Sequence, residues 1–192
     1  MILVLLSGGE DSIVLAEMAQ EKGTLSGLMF FEYGQPAQIQ ERMAADRWCK
    51  KNGYDLTVQH VPIFGVSDHM KTGAGTPGPR ILPGRNLLFI SHAINLAKTI
   101  GAHTIWYGAN ADDHEYADCS VKFVEMADKI ARLHGVRVEA PLLHMSKKEI
   151  HQYADDLPID LSCAWSCYEP NSEGLPCGTC NSCRLQAKRP TE

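Results

Sequence analysis

The 192-residue sequence predicts an α/β domain, a five-stranded parallel sheet with helices on both faces, followed by a cysteine-ligated C-terminal segment. Three observations predict it. Short apolar runs alternate with helix-period patterns along most of the chain, which is the signature of strand, helix, strand units with right-handed crossovers. The first apolar run enters a Ser-Gly-Gly turn directly, as a strand does when it hands over to a helix at a ligand edge. Four of the seven cysteines crowd near the C-terminus at metal-ligand spacing. With 44% hydrophobic residues the chain can bury one substantial core.

The first strand is Leu3-Val4-Leu5-Leu6, and Ser7-Gly8-Gly9-Glu10-Asp11-Ser12 follows it. Two glycines permit a tight turn and let backbone N–H groups approach an anion at a helix N-terminus. A Walker loop is excluded, because it needs a longer Gly-to-Gly spacing and a Gly-Lys-Ser/Thr ending. Residues 12–22 form a helix with Ile13, Leu15, Ala16 and Ala19 inward, stopped by Gly23, and residues 27–31 a second buried strand. Pro36 suits the opening of a helix over 37–52 that puts Ile39, Met43, Ala44 and Trp48 on one side. A third strand covers 56–61. Residues 63–84 carry five glycines and three prolines, a loop compatible with a lid over the site or with a plain insertion. A helix over 86–100 turns Leu87, Leu88, Ile90, Ala93, Ile94 and Ala97 inward and is capped by Gly101. The fourth strand, 103–108, runs into a polar stretch over 110–118 that emerges at the ligand edge of a parallel sheet. A helix over 121–134, a fifth strand over 136–140 and a short helix over 147–154 capped by Ser146 complete the pattern.

Cys167, Cys177, Cys180 and Cys183 have the spacing C-x9-C-x2-C-x2-C. Two C-x2-C steps sharing Cys180 bring three thiolates around one tetrahedral ion, and Cys167 returns as the fourth. Zinc is favoured over an iron–sulfur cluster, and a closed four-thiolate site is a structural staple, since it leaves no open position for water. Cys163 is a rival ligand that stands further from the C-x2-C steps and is expected to be buried instead, and Cys49 and Cys119 are expected to carry no chemistry. The formal net charge of −5 disfavours non-specific binding to a phosphate backbone and suits a small polar substrate. No secretory pattern and no apolar run of membrane-spanning length is present, so a cytoplasmic location is expected.

The run Ser-Gly-Gly-x-Asp-Ser resembles the pyrophosphate loop of the ATP pyrophosphatases, which activate a carbonyl oxygen as an adenylate. Further segments narrow the likeness: Tyr33-Gly34-Gln35, Pro83-Gly84-Arg85-Asn86, Tyr116-Ala117-Asp118-Cys119, Pro141-Leu142 with Lys147 and Glu149, and the cysteines after Trp165-Ser166. Together they resemble the 7-cyano-7-deazaguanine synthase family, whose fold is adenine nucleotide alpha hydrolase-like. The resemblance implies ATP-dependent conversion of 7-carboxy-7-deazaguanine and ammonia to a nitrile, through an adenylated carboxylate and then an amide, with Mg2+ and Zn2+. It implies catalytic roles for Ser7, Asp11, Ser12, Arg85 and Lys147. The nucleotide would be held by Leu6, Ser7, Gly8, Gly9, Glu10, Asp11, Ser12, Pro83, Gly84, Arg85 and Asn86. The deazapurine would meet Tyr33, Gln35, Asp112, Asp113, His114, Tyr116 and Asp118. The remaining histidines, His151 among them, are expected to be structural or solvent-exposed.

Residues 1–160 would then be the nucleotide-binding domain, with 161–192 a zinc-binding segment packed on it. The partners are small molecules, with no direct nucleic acid, no membrane, and a homodimer compatible with the family. The chain departs from the family pattern at Ala37 and Gln40, where His and Glu are usual, and at Gln186, where Arg is usual. The alternatives are another adenylating enzyme of the pyrophosphate-loop kind and a relative that binds nucleotide or deazaguanine with altered catalysis.

Overall fold

Five parallel strands lie side by side in the order β3-β2-β1-β4-β5. They are β1 (Ile2–Leu5), β2 (Leu25–Glu32), β3 (Leu56–His60), β4 (Thr104–Trp106) and β5 (Arg137–Glu139). The helices are α1 (Glu10–Glu21), α2 (Gln38–Asn52), α3 (Arg85–Ile100), α4 (Val121–Arg132), α5 (Lys147–Asp156) and α6 (Asn181–Gln186), with single 3₁₀ turns at Ala111–Asp113 and Ala117–Cys119. This computed structural model describes residues 1–63, 82–113, 116–157 and 159–187. The proposed lid over 63–84 falls largely outside the described residues, as does His114.

Successive residues of a strand point to opposite faces, and the two halves of the core follow that period. Ile2, Val4 and Leu6 join Leu28, Phe30 and Trp106 on one face, covered by Val14 and Leu15 of α1, Trp48 of α2 and Ile150 of α5. Leu3, Met29, Phe31, Ile105 and Tyr107 lie on the other face, under Phe89, Ile90, Ala93 and Ala97 of α3 and Ala127 and Ala131 of α4. The expected helices on both faces are therefore present. The segment after α5 joins the first face, where Ile159, Leu161, Cys163 and Ala164 pack against the core.

Two apolar stripes face differently from the sequence expectation. Ile39 and Met43 are 68% and 53% exposed, while α2 turns Ala44, Ala45, Trp48 and Cys49 inward. The small alanines permit close approach: a Cβ on Gly8 would stand 3.1 Å from Ala44 Cβ. Leu87 and Leu88 are exposed in the first turn of α3, and the buried stripe begins one residue later at Phe89, which stacks on Phe31 with ring centroids 4.2 Å apart. The fourth strand is also shorter than predicted, because the chain leaves the sheet after Trp106.

Candidate active site

The strand order reverses between β1 and β4, so the chain leaves these neighbours in opposite directions and opens a crevice at their C-terminal ends. The pyrophosphate-type loop rises from β1 on one side of it. Its Gly8 has φ +79°, and a Cβ there would lie 2.2 Å from the Glu41 carbonyl oxygen, so only glycine lets the loop rest on α2. Ser12 braces the turn from within: its hydroxyl accepts from Ser7 N–H at 3.1 Å and from Ser7 Oγ at 3.1 Å, and donates to the Gly9 carbonyl at 2.8 Å. Ser7 Oγ in turn accepts from Gly9 N–H at 3.4 Å. Gly9 is the N-cap of α1 and no side chain caps that end. The first amides of a helix lack intrahelical partners and carry partial positive charge, which suits an anion.

β4 supplies the opposite wall. Gly108 packs against Asp11, with 3.5 Å from its added Cβ position to Asp11 Cβ, and Asn110 follows, 2% exposed. Asn110 Nδ2 donates to Asp11 Oδ2 at 2.9 Å and to Asp113 Oδ2 at 2.8 Å, so one amide spaces two carboxylates. Lys147 Nζ binds the same Asp11 oxygen, and Lys147 N–H donates to Asp112 Oδ2 at 2.8 Å. The first turn of α5 is set for this by a capping box, in which Ser146 and Glu149 satisfy each other's backbone amides. Asp11 Oδ1 is buried with no hydrogen-bond partner among the described residues. An orphaned carboxylate oxygen beside a second carboxylate is the donor chemistry a hard divalent cation takes. Burial raises the Asp113 carboxyl above its ordinary value, and Lys147 pulls it back.

The third wall comes from β2 and α3. Gly84, at φ +76°, caps α3 and delivers Arg85 toward Tyr33, with its guanidinium 5.9 Å from the ring centroid. Tyr33 also lies 5.3 Å from Phe89, and burial pushes its hydroxyl up to about 12 against the opposing effect of Arg85. Arg85 Nε is buried without a partner among the described residues, a donor free to meet a bound group. Pro83 and Gly84 are exposed and Leu6 is fully buried, so these three shape the site without offering side-chain chemistry.

Gln35 is 5% exposed and internally committed: it donates to the Phe31 carbonyl at 3.0 Å and to Glu41 Oε2 at 3.1 Å, and accepts from Tyr33 N–H at 2.9 Å. It fixes the turn after β2 and leaves the wall to Tyr33. Asp118 is also partly engaged, accepting at 3.1 Å from the Asn86 N–H in the first turn of α3, while Asn86 Nδ2 reaches the Asp118 carbonyl.

Four site residues were not singled out by the sequence reading. Asn110 stood inside the recognised polar run, but nothing distinguished it from its neighbours. His151, expected to be structural or solvent-exposed, lies one helical turn after Lys147, and its Nε2 sits 3.0 Å from Glu10 Oε2; the i, i+4 spacing was the available signal. Glu41 borders the loop through its backbone and Gln35 through its carboxylate. Tyr168 follows Cys167 in sequence, and burial, with the charges of Tyr116, Asp113 and Asp11 nearby, pushes its hydroxyl up to about 12.

Behind this wall stand the cysteines. The Sγ atoms of Cys167, Cys177, Cys180 and Cys183 lie within 4.8 Å of one another, and the Cys177–Cys183 pair is 3.9 Å apart. Four thiolates at about 2.3 Å from one ion are spaced by about 3.8 Å, so the group fits a tetrahedral metal. Backbone amides support it: Cys177 N–H points at Cys167 Sγ, Cys180 N–H at Cys177 Sγ and Cys183 N–H at Cys180 Sγ, at 3.3 to 3.4 Å. The segment also grips the loop, since Trp165 N–H donates to the Gly8 carbonyl at 2.9 Å.

Comparison with known proteins gives the family and the fold. The family described as queuosine biosynthesis protein QueC matches residues 1–190. The 7-cyano-7-deazaguanine synthase 1 of Sphingopyxis alaskensis is 38% identical, with 97% of this chain and 92% of the relative covered. The 7-cyano-7-deazaguanine synthase of Ectopseudomonas mendocina is 36% identical, with 96% and 91% covered. Among solved structures, the U34-tRNA thiolase NcsA of Methanococcus maripaludis with its [4Fe-4S] cluster shares the fold at TM-score 0.53 and 19% identity, covering 90% of this chain and 61% of that one. A predicted subunit of tRNA methyltransferase from Methanocaldococcus jannaschii does so at TM-score 0.52 and 19% identity, covering 80% and 73%. The chain belongs to the QueC family, the 7-cyano-7-deazaguanine synthases.

Proposed function

We infer that the protein converts 7-carboxy-7-deazaguanine, ATP and ammonia to 7-cyano-7-deazaguanine. The observation that carries this is the loop 7–12 at the sheet's switch point, with Lys147 on its Asp11 and Arg85 against Tyr33 at the end of β2, in a chain that matches the nitrile synthases along its length. A carboxylate resists attack by ammonia because hydroxide leaves poorly, so its oxygen must first be esterified to AMP. The pyrophosphate released in that step takes the α1 N-terminus, Gly8, Gly9 and the Ser7 hydroxyl, where preorganised donors meet developing negative charge. Lys147, fixed by Asp11, and Arg85, fixed against Tyr33, add positive charge at the activated oxygen. Ammonia then displaces AMP to give an amide, and activation of the amide oxygen by a second ATP lets it leave in the elimination that forms the nitrile.

Asp11 and Asp113 would hold Mg2+, which supplies charge neutralisation on the phosphates. Zn2+ on Cys167, Cys177, Cys180 and Cys183 is the metal we assign to the thiolates, as a staple outside the chemistry. Tyr33, Tyr116, Asp112, Asp113 and the second oxygen of Asp118 are the deazapurine contacts in this reading, with His114 beside them in sequence.

The same reading treats 1–160 as the nucleotide-binding domain and 161–192 as a metal-binding segment resting on it. It places the protein in the cytoplasm; among the described residues no helix is long and apolar enough to cross a membrane. A homodimer is the assembly proposed, and the exposed apolar stripe of Met126 and Ile130 on α4 with Leu133 at its C-cap supports it.

The test is a mass-spectrometric time course with labelled ammonia, the carboxylate, ATP and magnesium. Label is expected first in an amide and then in the nitrile, with two nucleotides consumed per nitrile. Its absence from both would end the assignment.

A further inference from the structure

Ammonia is almost wholly ammonium at neutral pH, and ammonium has no lone pair with which to attack. A site that uses it needs a base beside the acyl carbon. Several carboxylates around the crevice are already tied: Asp11 by Lys147 and Asn110, Asp113 by Asn110, Asp112 by the Lys147 amide, Glu10 by His151. Glu32, one residue before Tyr33, pairs with Arg42 and His60.

Glu41 is placed differently. It stands in the first turn of α2, its carbonyl against Gly8 of the phosphate loop and its carboxylate oriented by Gln35 Nε2 at 3.1 Å. Arg85 from α3 faces it with a positive charge, and Glu41 in turn helps keep the proton on the Tyr33 hydroxyl in the turn after β2. The neighbouring Arg42 on α2 is engaged by Glu32 and Asp46. Glu41 thus lies between the loop that receives the leaving phosphate and the aromatic and cationic wall proposed for the substrate.

We propose that Glu41 is the catalytic base of the amide-forming step, docking ammonium and taking its proton. This rests on the nitrile-synthase reading above. One N–H bond of ammonium breaks and its proton passes to a Glu41 carboxylate oxygen. The freed lone pair forms the C–N bond at the acyl carbon of the adenylate. The C–O bond to AMP breaks with its electron pair, which leaves on the AMP phosphate. The nitrogen loses a second proton to solvent, and Glu41 passes its own to solvent after AMP departs. Acyl adenylate and ammonium give amide, AMP and two protons, and the charges balance.

The electrostatics suit the task. Burial raises the Glu41 carboxyl from 4.5 to about 7, with Gln35 and Arg85 holding it from rising further. A base is most effective when its affinity for protons matches the working pH. Tyr33, pushed up to about 12, and the permanently charged Arg85 do not titrate in that range.

The experiment compares wild-type and Glu41→Gln protein by kcat/KM for total ammonium across neutral pH. ATP–pyrophosphate exchange with the carboxylate serves as the separate readout of adenylation. In the wild type, kcat/KM should rise to a plateau above about pH 7. In Glu41→Gln it should fall about 10²-fold or more and follow free ammonia, rising about tenfold per pH unit, while exchange falls far less. Glu41→Asp should recover part of the loss. The proposal is overturned if Glu41→Gln keeps the wild-type value, if the wild type shows no plateau, or if exchange and amide formation fall together, which would make Glu41 a structural brace. A wild type that exchanges pyrophosphate yet forms neither amide nor nitrile refutes the nitrile-synthase reading instead.

Discussion

Asp11 ties α1 to β4 and α5, since one of its oxygens holds both Lys147 and Asn110 while the other is buried and, among the described residues, unpartnered. Asp11→Ala should lower nitrile formation by about 10²–10³-fold, roughly 3–4 kcal/mol of transition-state stabilisation, with an unchanged far-ultraviolet circular dichroism spectrum. Near-normal turnover would place the phosphates elsewhere. Glu41 makes a prediction about stability that is independent of catalysis. Its carboxyl is raised on folding, so between pH 4.5 and about 7 the folded chain keeps a proton that the unfolded chain releases. Its contribution to stability is full below that window and declines as pH rises through it. Urea midpoints at the two ends of the window should therefore differ by less in Glu41→Gln than in wild type. The motif residues Ser7, Gly8, Asp11 and Ser12 were legible in sequence because their spacing is local. Asn110, Tyr168 and Glu41 were not, because none is a distinguishing residue of a recognised motif and each shows its place only in the contacts that folding makes.

Strands announce themselves by apolar content, so all five were legible, whereas the rotation of a helix about its axis depends on what it packs against. For α2 that partner is the glycine loop, and the contact admits Ala44 but not Met43. The two glycines of the loop should consequently respond differently. Gly8→Ala combines a left-handed backbone with a side chain 2.2 Å from the Glu41 carbonyl, and should cost at least about 1–2 kcal/mol in urea unfolding. Gly9 has φ −79°, and an added Cβ meets nothing closer than 3.4 Å. Gly9→Ala should leave stability within about 0.5 kcal/mol of wild type while raising the KM for ATP. Equal effects of the two on stability would show that the loop does not rest on α2 as described.

At the scale of the molecule, the thiolate group is joined to the phosphate loop by a short path, from Cys167 through Trp165 to the Gly8 carbonyl. Removing the metal with a chelator, or Cys180→Ser, should lower Tm and raise the KM for ATP together, each kcal/mol lost lowering Tm by about 2–4 °C. Elemental analysis should find one zinc per chain in the untreated protein. A chelated protein with unchanged Tm would detach the metal from the fold. That the four cysteines form a group fit for a metal was legible from spacing alone; that their segment touches the loop was not, because no local pattern records a contact between the first strand's end and residue 165.

That contact also orders events during synthesis. The loop leaves the ribosome with the first strand, but the amide that holds its Gly8 carbonyl follows only after all five strands have emerged. A parallel sheet must in any case wait for distant partners, since β1 pairs with both β2 and β4. A nascent chain stalled before residue 165 would therefore contain the whole Ser7 to Ser12 turn and Lys147 yet lack the hydrogen bond that closes one side of the turn, so competence to bind nucleotide should be acquired late in translation.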